Sequence, residues 1–315
     1  MKFLLLPILA AAAVVAEQYT TLVLDANPNN FFDHFDFRTD EPTSGHVQYQ
    51  TRPDAEKMGL IQQRPDQGYV YMGVDHWARA PDGRPSVRVE SKMLFTHGLF
   101  LLDVDHMPYG CGVWPAFWTY GLTSPWPELG EIDIIENVHN ARNNSQTIHV
   151  SPGDCSCQFV PAAHDQMTGW TKTPYCTLQK SAQYLMTFDP REESYGRPGW
   201  KGGVYAMEWT DKRVRTWFFP RDDVPCDVNQ GTPNPETWGT PVLSVDTQCG
   251  MNKMKDHTVV INTTFCGMWA GKKEIWEQES GCGHLADTCE DYVTDNPEAF
   301  GEAYWKIRSV KVWKK

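Results

Sequence analysis

The 315-residue chain has no uninterrupted apolar run of the ~18 residues that a membrane-crossing helix needs, so no membrane anchor is expected. Internal repeats, low-complexity tracts and blocks of like charge are also missing, which excludes repeat arrays and compositionally disordered chains. Basic residues are outnumbered, 28 Lys and Arg against 40 Asp and Glu, giving a net charge of −12. Nucleic-acid phosphates require a basic face, so that class of partner is excluded. An uncharged partner would be indifferent to the acidic balance. No nucleophile elbow of the Ser-His-Asp hydrolases, no H-E-x-x-H helix and no phosphate-cradling glycine loop occurs. Nothing points to a redox group. No cofactor and no catalytic metal are expected.

What is present begins with "MKFLLLPILAAAAVVAEQYT": one lysine, a short apolar run and then small residues suited to cleavage. This pattern reads as a secretory leader over residues 1–16, with a single domain over 17–315 and an extracellular destination. The nine cysteines fit that route, because secreted chains pair most of their thiols. Nine is odd, so at least one is left over. Cys111, isolated upstream of the others, is the expected free thiol. Two glycosylation sequons begin at Asn143 and Asn262.

Proline and glycine are spread through the chain, favouring many short elements over long helices. Strand-like runs recur, and "SVRVESK" alternates apolar with polar residues as a half-buried strand does. The expected helix is short and C-terminal, within "CEDYVTDNPEAFGEAYW". The segment 225–256 reads as a long loop pinned by Cys226 and Cys249. The expected class is all-β, a large antiparallel sandwich or barrel in one domain.

The stretch "GEIDIIENV" sets Glu131, Asp133 and Glu136 around an apolar run. A strand's side-chain period of two puts Glu131 and Asp133 on one face and Glu136 on the other. One extra residue, a β-bulge at Ile134–Ile135, returns Glu136 to the shared face. On a curved strand the two glutamates could then approach the ~5–5.5 Å separation of a retaining glycoside hydrolase or the ~6.5–9.5 Å of an inverting one. Clustered acids cannot all ionise freely, so one raised pKa is expected in a coupled pair. A calcium site and a solvated polar face are the alternatives. Thirteen tryptophans, among them Trp114, Trp118 and Trp126 near the acids, suit a cleft in which sugar faces stack on rings.

"GEIDIIENV" resembles the E-x-D-x-x-E signature of glycoside hydrolase family 16 in its bulged, laminarinase-like form. "WPAFW", "TIHVSPG", "INTTFCGMWAG" and "FFDHFDFRTDEPTSGHVQYQ" extend the resemblance over nearly the whole chain. It implies a β-jelly-roll of two curved antiparallel sheets and a monomeric, secreted endo-1,3(4)-β-glucanase acting on β-glucan polysaccharide with retention. It further implies Glu131 as nucleophile, Glu136 as general acid/base and Asp133 as the assisting aspartate. Trp118, Trp126 and Trp269 match sugar-contacting positions, with Trp114 beside them, and His149 matches a histidine near the acid/base. Met268 departs from the pattern, standing where an aspartate is expected. A transglycosylase on the same scaffold and a glucan-binding lectin are the rival readings.

Overall fold

The structure, a computed structural model, describes residues 18–151, 166–171, 177–179, 182–191, 194–246 and 251–315. The expected leader and Cys155, Cys157, Cys176 and Cys249 lie outside the described residues.

Two large antiparallel sheets face each other. The back sheet runs β17 (Leu243–Asp246), β16 (Arg213–Pro220), β15 (Gly203–Trp209), β8 (Gly98–His106), β19 (Trp305–Lys314), β5 (Tyr69–Met72) and β4 (Ile61–Arg64), with β1 (Thr21–Ala26) also on β19. The site sheet runs β12 (Trp170–Thr171), β14 (Ala182–Phe188), β11 (Ser145–Val150), β10 (Glu131–Glu136), β9 (Val113–Gly121), β18 (His257–Phe265), β7 (Arg88–Ser91) and β2 (Phe35–Phe37), with β13 (Thr177–Gln179) also on β14. A small parallel pair, β3 (Val47–Tyr49) and β6 (Arg84–Ser86), flanks them.

Alternation explains the layering. Ile132, Ile134, Ile148, Phe117 and Ile261 of the site sheet meet Phe100, Leu102, Met207 and Val310 of the back sheet in one core. The intervening residues of the site sheet face away from that core, which leaves a second surface free for chemistry. The back sheet does not leave its outer surface bare. Leu99, Leu101, Ala206, Trp217 and Trp313 pack there with Tyr19 and Trp238 in a separate apolar cluster.

That cluster revises the reading of residues 225–256. The segment carries a short helix, Cys226–Gln230, and the strand β17, and its Trp238 packs edge-on against Trp217 at 5.3 Å and Phe219 at 5.4 Å. Its anchor at this end is aromatic burial and not a disulfide, because Cys226 is the exposed free thiol among the described residues. Cys111, expected to be free, is instead bonded to Cys282 across 171 residues, and Cys266 is bonded to Cys289. Both bridges join a third apolar cluster at one end of the sandwich, where Val113, Phe265 and Trp276 pack with Val293 and Phe300.

The C-terminal helix forms as expected. It spans Cys289–Asp295, and the Thr288 hydroxyl caps it by accepting from the Asp291 N–H at 3.1 Å. Pro297 stops it two residues beyond its end and opens a 3-10 turn over Pro297–Phe300.

Candidate active site

β10 occupies an inner position of the site sheet, between β9 and β11. Glu131 pairs with Tyr120 on one side and His149 on the other; Asp133 pairs with Trp118 and Thr147. The register then slips, and Glu136 pairs with Ala116 and Ser145. The slip places the bulge at Ile134–Ile135, where the sequence locates it. Both isoleucines are fully buried, so the extra residue is absorbed on the core side while all three acids share the outer face.

A bulge leaves backbone groups without ladder partners. One side chain serves both sides of this one: the Asn144 amide accepts from the Glu136 N–H at 3.1 Å and donates to the Ile134 carbonyl at 2.8 Å. Asn144 is itself buried, and its own N–H donates to the Ser194 hydroxyl. Sequence reasoning missed this residue. The one local signal at this position is the sequon Asn143-Asn144-Ser145, which speaks of glycosylation and not of a bulge.

Each terminal acid is fixed by an indole. Trp126 donates from Nε1 to Glu131 Oε2 at 2.9 Å, and Trp114 donates from Nε1 to Glu136 Oε1 at 2.9 Å. His149 Nε2 stands 3.4 Å from Glu131 Oε1 and 3.4 Å from Asp133 Oδ2. His149 thus lies within the cluster of acids, in contact with Glu131 and Asp133. Direct pairing across β10 and β11 brings it to Glu131 and Asp133, and its field also reaches Glu136.

Burial dominates the electrostatics. The Glu131 side chain is 14% exposed and that of Asp133 4%. Loss of water pushes the Glu131 pKa up to about 8, with the charge of Asp133 adding to the rise and His149 opposing it. Glu136 is likewise raised to about 8, by burial first and Asp133 next. Asp133 is raised by burial. The expectation of a single raised carboxyl is therefore too narrow: all three rise, because all three are desolvated together.

Glu131, Asp133 and His149 bring one ligand atom each within 4.8 Å of one another, close enough to hold a cation. The set suits a hard cation poorly. It offers only two carboxylates and an imidazole, where calcium takes six to eight oxygens. The indole on Glu131 also uses one of those oxygens already.

The other side of the acids is a polar and aromatic floor. Trp118 donates to Asn262 Oδ1 at 2.8 Å, and the Asn262 amide donates to the Tyr49 hydroxyl at 3.0 Å. Asn262 is 7% exposed and mid-strand, so the folded chain leaves no room for a glycan on it. Asn143 is half-buried, and its Nδ2 donates to the Asp189 carbonyl; a glycosylated amide would keep one N–H for that bond. A buried Arg88–Glu90 pair at 2.7 Å lies under Trp118, with the Tyr120 hydroxyl donating to Glu90 at 3.1 Å. Trp118 and Tyr120 stack at 5.1 Å. No local motif announces Arg88, Glu90, Tyr120 or Tyr49 as site residues, and Asn262 is marked in the sequence only by its sequon. Trp269 stands edge-on to Trp114 at 5.7 Å, on the short helix Gly267–Ala270 after β18, and the adjoining Met268 N–H donates to the Thr43 carbonyl.

The three acids, the bulge and both indoles thus form one constellation. Residues 32–313 match the family description "XgeA-like, catalytic GH16 domain". The chain belongs to glycoside hydrolase family 16. Its relatives in the family include an endo-1,3(4)-beta-glucanase of Arthroderma benhamiae, 39% identical over 97% of this chain and 67% of that protein. A probable glycosidase of Schizosaccharomyces pombe is 38% identical over 93% of this chain and 69% of its own length. Among solved family 16 structures, Laminarinase 16A of Phanerochaete chrysosporium, described with two β-glucans in donor and acceptor sites, superposes with a TM-score of 0.85. It is 34% identical over 95% of this chain and all of that one. An elongating GH family 16 beta-1,3-glucosyltransferase superposes at 0.83, with 38% identity over 93% of this chain and 99% of that one. The two facing sheets are accordingly those of the family 16 jelly roll, and the chain is a glycoside hydrolase.

Proposed function

We propose that this family 16 enzyme is a secreted endo-β-glucanase that hydrolyses β-1,3 or mixed β-1,3/1,4 glucan with retention. The carrying observation is the bulged β10, which presents Glu131, Asp133 and Glu136 on one face with an indole N–H on each glutamate. Glu131 is the nucleophile. It attacks the anomeric carbon while Glu136, held protonated by burial, gives its proton to the departing glycosidic oxygen. The covalent glycosyl-enzyme is then opened by water that passes its proton to Glu136, restoring both carboxyls. Asp133 and His149 orient Glu131. Asp133 shares the desolvated pocket, and His149 offsets the negative charge that Glu131 carries before attack. Trp114, Trp118, Trp126 and Trp269 supply the aromatic walls against which sugar faces stack.

Residues 1–16 direct export and are removed, leaving a monomeric domain from residue 17. The test of function is digestion of laminarin, barley mixed-linked glucan, xyloglucan and agarose side by side, with product sizing. Shortened oligosaccharides from the first two substrates are expected, and Glu131→Ala abolishes their release while leaving the far-ultraviolet circular dichroism intact. Substantial residual turnover by Glu131→Ala overturns the assignment of the nucleophile.

A second reading has its own support, the 0.83 superposition with an elongating glucosyltransferase. In that reading a sugar hydroxyl replaces water in the second step. Products longer than the supplied oligosaccharide would favour it.

A further inference from the structure

The row of cross-strand partners that contains Glu136 does not end at the acid. Glu136 pairs with Ser145 on β11, Ser145 with Phe188 on β14, and Phe188 with Trp170 on β12. Directly paired residues of antiparallel strands point to the same face of a sheet. Trp170 and Phe188 therefore stand on the face that carries the acids. The neighbouring row agrees: Thr171 pairs with Thr187, Thr187 with Gln146, and Gln146 accepts from Thr216 of the back sheet. That row lies between the sheets, so the Trp170 row lies outside them.

At the end of this row Trp170 is stacked on Phe188, with centroids 4.6 Å apart and planes 17° apart, and is 54% exposed. The phenyl ring covers one indole face, and about half of the residue stays open to solvent. The cross-strand pair holds the ring in place at the sheet edge without burying it. Three strand spacings separate it from Glu136, ~14 Å at about 4.8 Å per strand. A saccharide lying across the strands over the acids would reach this ring a few sugar units from the bond that is cut. The opposite end of the same row is Ala116, Asn262 and Arg88, a polar floor. The two ends of the cleft thus differ in chemistry.

The geometry points to Trp170, supported by Phe188, as a distal glucan-binding platform at the β12 edge of the cleft. It takes the apolar face of a glucose ring remote from the scissile bond, and so sets the length of chain the enzyme prefers. The occupant is the substrate itself, argued from the unbroken row that joins the ring to Glu136. This inference rests on the β-glucanase reading above.

The test compares wild type, Trp170→Ala and Trp170→Phe on laminari-oligosaccharides of increasing length and on laminarin. The expected result is a loss in kcat/KM for Trp170→Ala that grows with chain length, exceeding the loss on the trisaccharide by roughly three- to tenfold on long chains. Trp170→Phe, which keeps a ring over Phe188, recovers part of it. A stacking role also appears mainly in KM, and the cleavage pattern of long oligosaccharides shifts. Equal losses at every length, or none, overturn the platform while leaving the glucanase reading intact. A lowered Tm that tracks the kinetic loss in both variants also overturns it, since that indicates a structural role. If wild type cleaves none of these glucans, the functional reading fails, and the platform falls with it.

Discussion

Glu131 and Glu136 have the same side chain and much the same environment, so neighbours must divide their labour. Glu131 has His149 at 3.4 Å as well as the Trp126 indole, whereas Glu136 has the Trp114 indole alone within hydrogen-bond reach. At contact distance His149 favours the charged form of Glu131, while burial favours a proton on Glu136. The pKa of Glu136, pushed up to about 8, then sets the alkaline limb of the rate profile. In Glu136→Gln that limb should vanish, and kcat on glucan should fall by roughly 10²–10⁴. A substrate whose leaving group needs no proton should suffer less, as kinetics on an activated aryl glucoside would show. The same shift acts on stability. Between the ordinary carboxylate range and about 8 the unfolded chain releases this proton and the folded chain keeps it. Stability is thus fullest below the ordinary pKa and declines as pH rises towards 8. Glu136→Gln removes this group's share of the decline, so its Tm should exceed that of wild type by a margin widening from pH 5 to pH 8. The gain is on the order of 1–3 kcal/mol by neutral pH, and a margin constant with pH would refute the buried, protonated acid. The acids could be found from the sequence because three carboxylates around "IDII" conflict with burial. The Arg88–Glu90 pair, Tyr49 and Asn262 could not, because three remote strands bring them to Trp118.

At the scale of the element, β10 is decided by one irregularity. A period of two forces Glu136 to the wrong face unless a residue is added, so the bulge follows from the spacing once a shared face is assumed. What holds the bulge open does not follow. Asn144 reaches it only because the turn between β10 and β11 folds the chain back on itself. In Asn144→Ala the Glu136 N–H and Ile134 carbonyl lose their partner in a buried setting, at a cost of about 1–3 kcal/mol for each unsatisfied group. Relaxation of the bulge would re-aim Glu136, and kcat should drop by roughly 10- to 100-fold with a smaller change in KM. Urea unfolding and steady-state kinetics check both. A variant that loses stability without losing kcat would separate Asn144 from the positioning of Glu136.

Across the whole molecule, the acid-bearing face exists because the two sheets bury their inner faces against each other and the back sheet is covered in turn by residues around Tyr19 and Trp238. The Cys111–Cys282 bridge ties the loop before β9 to the end cluster around Trp276 and Val293. It closes a loop of 171 residues, so replacing both cysteines by serine should lower unfolding free energy by about 2–4 kcal/mol, read by urea titration. A loss below ~1 kcal/mol would show that apolar packing alone secures this end. Cysteine spacing misled here because sequence isolation says nothing about distance in space. Chain order and alternation by themselves determined that the protein is all-β, an antiparallel sandwich or barrel, that three acids share a strand, and that a shared face for them requires a bulge. These are local consequences of backbone periodicity and the cost of burying charge. Only the tertiary structure decided which thiols meet, that His149 faces Glu131, that Asn262 is walled in, and that Asn144 holds the bulge. Each of those depends on contacts between segments far apart in the chain, which packing selects and no local pattern encodes.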